Sequence, residues 1–482
     1  MKSTSPKIPN SSQMHRRSFL KGILTAGTVS ILSPRLMFAL DGSKVGPGGK
    51  VNLACCGIGN RGAEIIKALY ATGLANIVAL CDTDMGAPHT QGILKQFPNV
   101  PRFQDFRQML DKMGNKIDAV TAGVPDFSHF PIAMMSMGMG KHIYVEKPMA
   151  HTFQEIDLMM KAEKKSKVAA QMGNQGHSDG NYFQFKAWVD AGVIKNVHKI
   201  VAHMNGGRRW HKWNGQVAGL PAAQPVPATL DWDTWLSQVP FHDYNKDYIN
   251  GDWRCWYDFG NGALGDWGAH ILDTAHEFLK LGLPTEVSAV KMEGHNPYVF
   301  PMASTLSFKF AARGDNLPAC EVLWYDGAKN YPTLPEGYGK AVVSGDIPPP
   351  GGGAKVADKL SPGKEIYSDD LIFKGGSHGS ILSIIPEAKA KEMASKLPDV
   401  PKSPSNHFKN FLLACKGQEK CRSAFEVAGP LSQVLALGVL AQRLNTKLSF
   451  DPATQQVTND KVANALLTGP APRKGWEQYY KV

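Results

Sequence analysis

The chain has 482 residues, enough for two or three domains around a large core. Hydrophobic residues at 43% and charged residues at 20% exclude a disordered or low-complexity chain. The formal charge of +11 gives no reason to expect a nucleic-acid surface, because Lys2, Lys7, Arg16, Arg17, Lys21 and Arg35 supply six of it within residues 1–39 and no block of five basic residues occurs.

Residues 1–39 hold no acid and read as a targeting segment. HRRSFLK at 15–21 resembles the twin-arginine export motif, with His15 where Ser or Thr is commoner. A modest apolar run follows from Gly22 to Leu32, and Met37–Phe38–Ala39 offers a loose cleavage site. The run is too short and too rich in small residues for a transmembrane span, so an exported, periplasmic protein without stable membrane insertion is expected. The seven cysteines form an odd set without framework spacing, so neither a disulfide scaffold nor a zinc site is indicated.

The stretch Val51–Gly62, VNLACCGIGNRG, opens with an apolar run that reads as a buried parallel strand. Gly57, Gly59 and Gly62 then follow the spacing G-x-G-x-x-G, and Ala63–Tyr70 is apolar at helical spacing. Strand, glycine turn and helix in this order make a dinucleotide-binding fingerprint. One glycine makes the turn, one lets the backbone approach a pyrophosphate, and one lets helix and strand pack closely, while the helix N-terminus offers N–H groups to phosphate. A second strand, Ala75–Cys81, ends at Asp82, 25 residues after Gly57. A carboxylate there suits a ribose diol and repels a 2′-phosphate, which favours NAD over NADP. The residues expected to hold the nucleotide are Gly57, Ile58, Gly59, Asn60, Arg61, Gly62 and Asp82, with Glu146 and Lys147 further on.

The β–α alternation continues with a helix at Phe106–Met113, a strand at Ala119–Val124, a helix at Asp126–Met137 and a strand at His142–Val145. Such units with short loops predict a doubly wound parallel sheet, a Rossmann domain over 45–172. The last strand runs into Glu146–Lys147–Pro148, and the proline biases Lys147 toward extended backbone at a strand's C-terminal end, the edge where ligands bind in open α/β sheets. A helix at Glu155–Lys165 then leads to the strand Val168–Met172 and the polar loop Gly173–His177, GNQGH.

The glycine fingerprint, Asp82 and the V-E-K-P element resemble the family of glucose–fructose oxidoreductase and inositol dehydrogenase (Gfo/Idh/MocA), over roughly residues 50–450. The chain is similar to the exported bacterial branch carrying GNQGH, LDWDxWL and WxDFGxGALGDxGxH, here Gly173–His177, Leu230–Leu236 and Trp256–His270. The resemblance implies a second α/β domain, 173–450, with a large open, mostly antiparallel sheet. It also implies hydride exchange between a nicotinamide cofactor and a sugar or polyol, with Lys147, Asp266 and His270 at the substrate.

The residues themselves agree. Gly265–Leu281 reads as an amphipathic helix on which Asp266 and His270 are i and i+4 and share one face. Oxidation of a carbinol needs a base for the hydroxyl proton, and histidine suits it. A lysine ammonium can steady negative charge growing on the oxygen, and an aspartate can orient its neighbours. The other reading of the pair is an N-cap aspartate and a buried, satisfied histidine.

Seven of the ten tryptophans, Trp210, Trp213, Trp232, Trp235, Trp253, Trp256 and Trp267, fall between 207 and 267, with Arg208, Arg209 and Arg254 among them. This insertion, 207–256, reads either as a carbohydrate-stacking wall, with His211 and Trp213 as guesses, or as a mini-core or oligomer contact. His177 and Tyr182 are candidates for a second acid/base pair. Downstream, strands are expected at Thr285–Glu293, Thr305–Ala311, Ala319–Tyr325, Leu371–Phe373 and Ser380–Ile385, a surface loop at 345–364, and helices at His407–Cys415 and Phe425–Leu444. The tail, 451–482, carries Trp476, Tyr479 and Tyr480, which could dock on a neighbour. A homo-oligomer is the default where open sheets expose strand edges.

Outside the cytoplasm no pool of free NAD exchanges with the protein, so the nucleotide would stay bound and be restored in place. Two enzymes meet that condition: an oxidoreductase served by a second sugar or an electron acceptor, and a redox-neutral NAD-dependent glycosidase working by oxidation, elimination, addition and reduction. A nucleotide-binding sensor without turnover is the reading of another class.

Overall fold

The structure is a computed structural model that describes Val45 and residues 49–206, 217–315, 317–338 and 360–482. The export segment, Arg208–Trp213 and most of the 345–364 loop lie outside the described residues. The first sheet holds β1 (Val51–Cys56), β2 (Ala75–Cys81), β3 (Arg102–Phe103), β4 (Ala119–Ala122), β5 (His142–Glu146) and β6 (Ala170–Gly173). All neighbours are parallel in the order β3-β2-β1-β4-β5-β6, the doubly wound Rossmann arrangement. Strand order reverses between β1 and β4, and the glycine loop leaves β1 at that switch point.

The second sheet holds β7 (Lys199–Met204), β8 (Glu286–Glu293), β9 (Ala303–Phe310), β10 (Cys320–Gly327), β11 (Gly363–Tyr367), β12 (Ile372–Gly376), β13 (Ser383–Ile385), β14 (Lys447–Asp451) and β15 (Gln456–Val457). Their order is β13-β12-β11-β7-β10-β9-β8-β14-β15, antiparallel throughout except for β7 beside β10. The helix Gly262–Phe278 packs along Phe425–Leu444, and both are almost wholly buried. Glycines set their spacing. A Cβ on Gly268 would fall 2.6 Å from Leu435 Cδ2, and one on Gly438 would fall 2.5 Å from Leu264 Cδ2. Phe425–Leu444 is long and apolar enough to cross a membrane by composition, and it is the central helix of the core.

Four tryptophans of the insertion make a mini-core of their own. Trp232, Trp235, Trp253 and Trp256 cluster with Phe127, Tyr244, Tyr248 and Phe259. Trp232 and Trp235 stack at 4.5 Å, and Trp232 Nε1 donates to the His242 carbonyl. Rings spent on one another present no flat face to a sugar, so the carbohydrate-wall expectation gives way for these four. The tail also departs from expectation. Trp476 and Tyr479 are each only 2% exposed and lie against Phe106, while Tyr480 packs on Phe130 and donates to Glu155 Oε1 at 2.7 Å. The tail docks on its own Rossmann domain because two helices there leave an aromatic pocket open.

Candidate active site

The glycine loop fits a pyrophosphate. Gly57 takes φ +76°, where an L side chain is strained, and a Cβ on it would fall 2.3 Å from the Gly123 carbonyl oxygen. One on Gly62 would fall 2.0 Å from the Gly57 carbonyl oxygen, whereas one on Gly59 would meet only the His89 ring. Asn60 follows with φ +43°. The helix Asn60–Ala71 has no side-chain cap at its N-terminus, so its first N–H groups stand open to an anion. Asp82 accepts from the N–H of Ile58 at 2.9 Å and from that of Asp84 at 3.1 Å, which pins its carboxylate beside the loop. Burial raises its pKa against those two donors. Arg61 reaches Glu146 at 3.2 Å and Glu64 at 2.9 Å, so two of the residues expected at the cofactor are paired with each other. This cradle suits a dinucleotide, with Asp82 on the ribose side and the helix N-terminus on the phosphates.

Lys147 leaves the end of β5 and crosses to the helix Gly262–Phe278. Its Nζ donates to Asp266 Oδ1 at 2.5 Å and to the Asp266 carbonyl at 3.2 Å. Burial lowers the lysine pKa, and Asp266 and Glu146 oppose the fall. Asp126 lies close by, accepts from the Asn261 N–H at 3.1 Å, and is pushed by burial up to about 7 against the pull of Arg254.

One turn along the helix, His270 is fully fixed. Its Nδ1 lies 3.1 Å from Asn174 Oδ1, and Asn174 Nδ2 donates to the Ala269 carbonyl at 2.9 Å. The amide is therefore oriented with its oxygen toward the ring. An amide oxygen only accepts, so Nδ1 carries the proton and Nε2 keeps the lone pair. Burial drives the pKa of His270 well below the ordinary histidine value, helped by His378 and Lys147. It is a neutral imidazole with a defined basic nitrogen. The His378 ring lies on it, centroids 3.7 Å apart and planes 23° apart, and Trp267 stands edge-on to both.

His177, in the turn Gln175–Ser178, and Tyr182, on the helix Gly180–Asp190, lie against the next stretch of that helix. His177 Nδ1 lies 2.5 Å from Asp273 Oδ1, and Nε2 lies 2.6 Å from Glu277 Oε2. Burial opposes its charge, but the two carboxylates prevail and hold its pKa up at about 10. An imidazolium lying between Asp273 and Glu277 has no lone pair to offer while it keeps its charge. Tyr182 packs 5.0 Å from it and is pushed up to about 12, by burial first and then by Glu277 and Asp273. The structure thus brings Lys147, Asp266 and His270 together beside the nucleotide cradle and sets the second pair apart. Sequence reasoning quoted Asn174 inside GNQGH without giving it a role, and it missed Asp126 and His378. The only trace of His378 was a Ser-His-Gly turn between two expected strands.

Residues 51–174 match the oxidoreductase family with an NAD-binding Rossmann fold, Gfo/Idh/MocA, and residues 181–300 and 362–478 match its C-terminal alpha/beta domain. Glycosyl hydrolase family 109 protein 2 of Shewanella sp. (strain ANA-3) is 28% identical over 180 residues, 33% of this chain and 39% of that protein. Inositol 2-dehydrogenase of Salmonella typhimurium is 26% identical over 141 residues, 29% of this chain and 41% of that protein. The chain thus spans about two fifths of the length of these curated relatives. The WlbA dehydrogenase from Chromobactrium violaceum, solved in complex with NADH and UDP-GlcNAcA, shares the fold at 14% identity, with a TM-score of 0.56 over 86% of this chain and 99% of that one. Both domains match, the sheets have the order and direction that the fold requires, and the glycine cradle is complete: the chain belongs to the Gfo/Idh/MocA family of NAD-binding oxidoreductases.

Proposed function

We propose that the protein oxidises a hydroxyl of a sugar or glycoside with a tightly held NAD. The observation that carries this reading is the juxtaposition of a buried lysine ammonium on Asp266 with a neutral histidine whose Nε2 is basic, both beside the glycine cradle. Lys147 holds the substrate hydroxyl and steadies negative charge as it grows on that oxygen. His270 Nε2 takes the hydroxyl proton, and Asn174 keeps that nitrogen unprotonated until then. Asp266 fixes the lysine, and burial of the site keeps water from competing. Gly57, Gly62, Asp82 and the N-terminus of the helix Asn60–Ala71 would hold the nicotinamide nucleotide, which when bound would supply the acceptor for the hydride leaving the same carbon. The position of Asp82 supports NAD over NADP. The motif at 15–21 supports export through the twin-arginine pathway with the nucleotide already aboard.

The test is to denature the purified protein and assay released NAD and NADH before and after incubation with a panel of sugars and glycosides. Stoichiometric NAD that becomes NADH is the expected result. Per nucleotide bound, Lys147→Ala and His270→Ala should slow its reduction by about 10²–10⁴, and His270→Ala should retain the nucleotide. If both variants match the wild type, the site is not catalytic and the sensor reading replaces it. The similarity to glycosyl hydrolase family 109 keeps one second reading, the redox-neutral glycosidase. In that case NAD stays oxidised overall while the glycoside is cleaved. The double clamp on His177 weighs against its serving as the additional acid/base that this scheme needs.

A further inference from the structure

Leu230, Trp232, Trp235 and Leu236 of the insertion are buried in the tryptophan mini-core. The residues that open this segment, 229–231, do something further: they strap the loop that joins β2 to the helix Gln91–Gln96. The Asp231 N–H donates to the Thr83 carbonyl at 2.8 Å, and Leu230 bridges Asp84 in antiparallel register. Gln104, just past β3, ties both sides with one nitrogen. Its Nε2 donates to the Thr83 carbonyl at 2.9 Å and to the Thr229 carbonyl at 2.8 Å. The two segments touch closely, because a Cβ on Gly86 would fall 2.6 Å from Thr229 Cβ. The strap is itself fixed, since the Asp231 carboxylate caps the helix Trp232–Leu236 by accepting from the Thr234 N–H at 3.0 Å and the Thr234 hydroxyl at 2.7 Å.

The strapped loop carries two residues to the glycine cradle. Asp82, at its start, accepts from the Ile58 N–H. His89, near its end, stands on a short turn that Pro88 opens and in which the buried Thr90 hydroxyl donates to the Ala87 carbonyl at 2.8 Å. From there the half-exposed His89 ring lies against Gly59, where an added Cβ would fall 2.9 Å from its Cγ. Asp82 and His89 thus flank the glycine turn from one segment, and residues 229–231 hold that segment in place. A ligand enclosed by a loop leaves when the loop opens, and every bond that opening must break lowers the open population. Here opening also breaks bonds to a part of the chain 125 residues further on. Resting on the reading of a tightly held NAD, we infer that residues 229–231 and Gln104 form a strap that slows release of the nicotinamide nucleotide, with His89 the side chain that closes over the glycine turn. The insertion then acts on the cofactor rather than on the sugar.

The experiment incubates the full-length purified protein, with its bound nucleotide, in excess isotopically labelled NAD. Free nucleotide is removed by gel filtration at intervals, and the labelled fraction of the bound NAD is read by mass spectrometry. Gln104→Glu keeps the length of the side chain and removes both donors, and Gln104→Ala removes the side chain. Both should exchange nucleotide about three- to tenfold faster than the wild type, while sugar reduces the NAD that is bound at the wild-type rate. His89→Ala should speed exchange by a similar factor. Exchange at the wild-type rate in both Gln104 variants overturns the strap, and the same result in His89→Ala overturns the part given to that ring. Complete exchange in the wild type before the first interval overturns the tight hold and the strap together. If the wild type exchanges slowly, the Gln104 variants quickly, and no sugar or glycoside reduces the bound NAD, the strap stands and the oxidoreductase reading falls.

Discussion

His177, offered by the sequence as a second acid/base, lies in the fold between two carboxylates, Asp273 and Glu277. Its pKa, raised from 6.5 to about 10, makes it a stabilising cation between Asp273 and Glu277. A raised folded value means that the contribution is complete below about 6.5, declines as pH rises, and is spent by about 10. His177→Gln strands two carboxylates, one of them deeply buried, and should lower unfolding free energy by about 3–5 kcal/mol near pH 6. The gap between variant and wild type should narrow as pH approaches 10, as urea midpoints at the two pH values will show. The grouping of Lys147, Asp266 and His270 was legible in the sequence because a proline elbow and an i, i+4 spacing mark these residues locally. Asn174 and His378 were not, because each meets His270 only through tertiary contact, Asn174 from 96 residues away.

At the level of elements, the glycine loop separates two kinds of close approach. A methyl group on Gly62 collides with the backbone oxygen of Gly57, which cannot move, whereas one on Gly59 meets a histidine side chain that can turn aside. Gly62→Ala should therefore lose both bound nucleotide and thermal stability, and Gly59→Ala should lose stability far less. Nucleotide released on denaturation and the Tm of each variant are the measurements. The strand–turn–helix signal located this element, with the helix starting at Asn60 rather than Ala63, and His407–Cys415 and Phe425–Leu444 have the bounds that their apolar spacing predicts. β7 and β11 escaped notice for a physical reason. KIVAHM and GKEIY carry buried polar groups that break the apolar pattern, among them Lys364 and the His203–Glu365 pair, 3.1 Å apart and fully enclosed. The tryptophan-rich insertion was visible as a composition, but composition does not say whether rings face one another or a ligand.

Across the whole molecule, the tail closes onto the Rossmann domain and the insertion. Trp476 packs on Phe106 with the Arg107 guanidinium 4.3 Å above its ring, and Arg473 binds the Asp233 side chain and the Ser237 carbonyl of the insertion. Trp476→Ala removes a ring almost wholly enclosed and should cost about 3–5 kcal/mol, read as a fall in Tm with the nucleotide cradle's own sequence untouched. The same contact sets an order of events during synthesis. The aromatic gap beside Phe106 and Phe130 can be filled only once residues 476–480 have been made, so the domain begun early in the chain is completed by side chains far downstream of it. A chain cut ahead of Trp476 keeps that gap open.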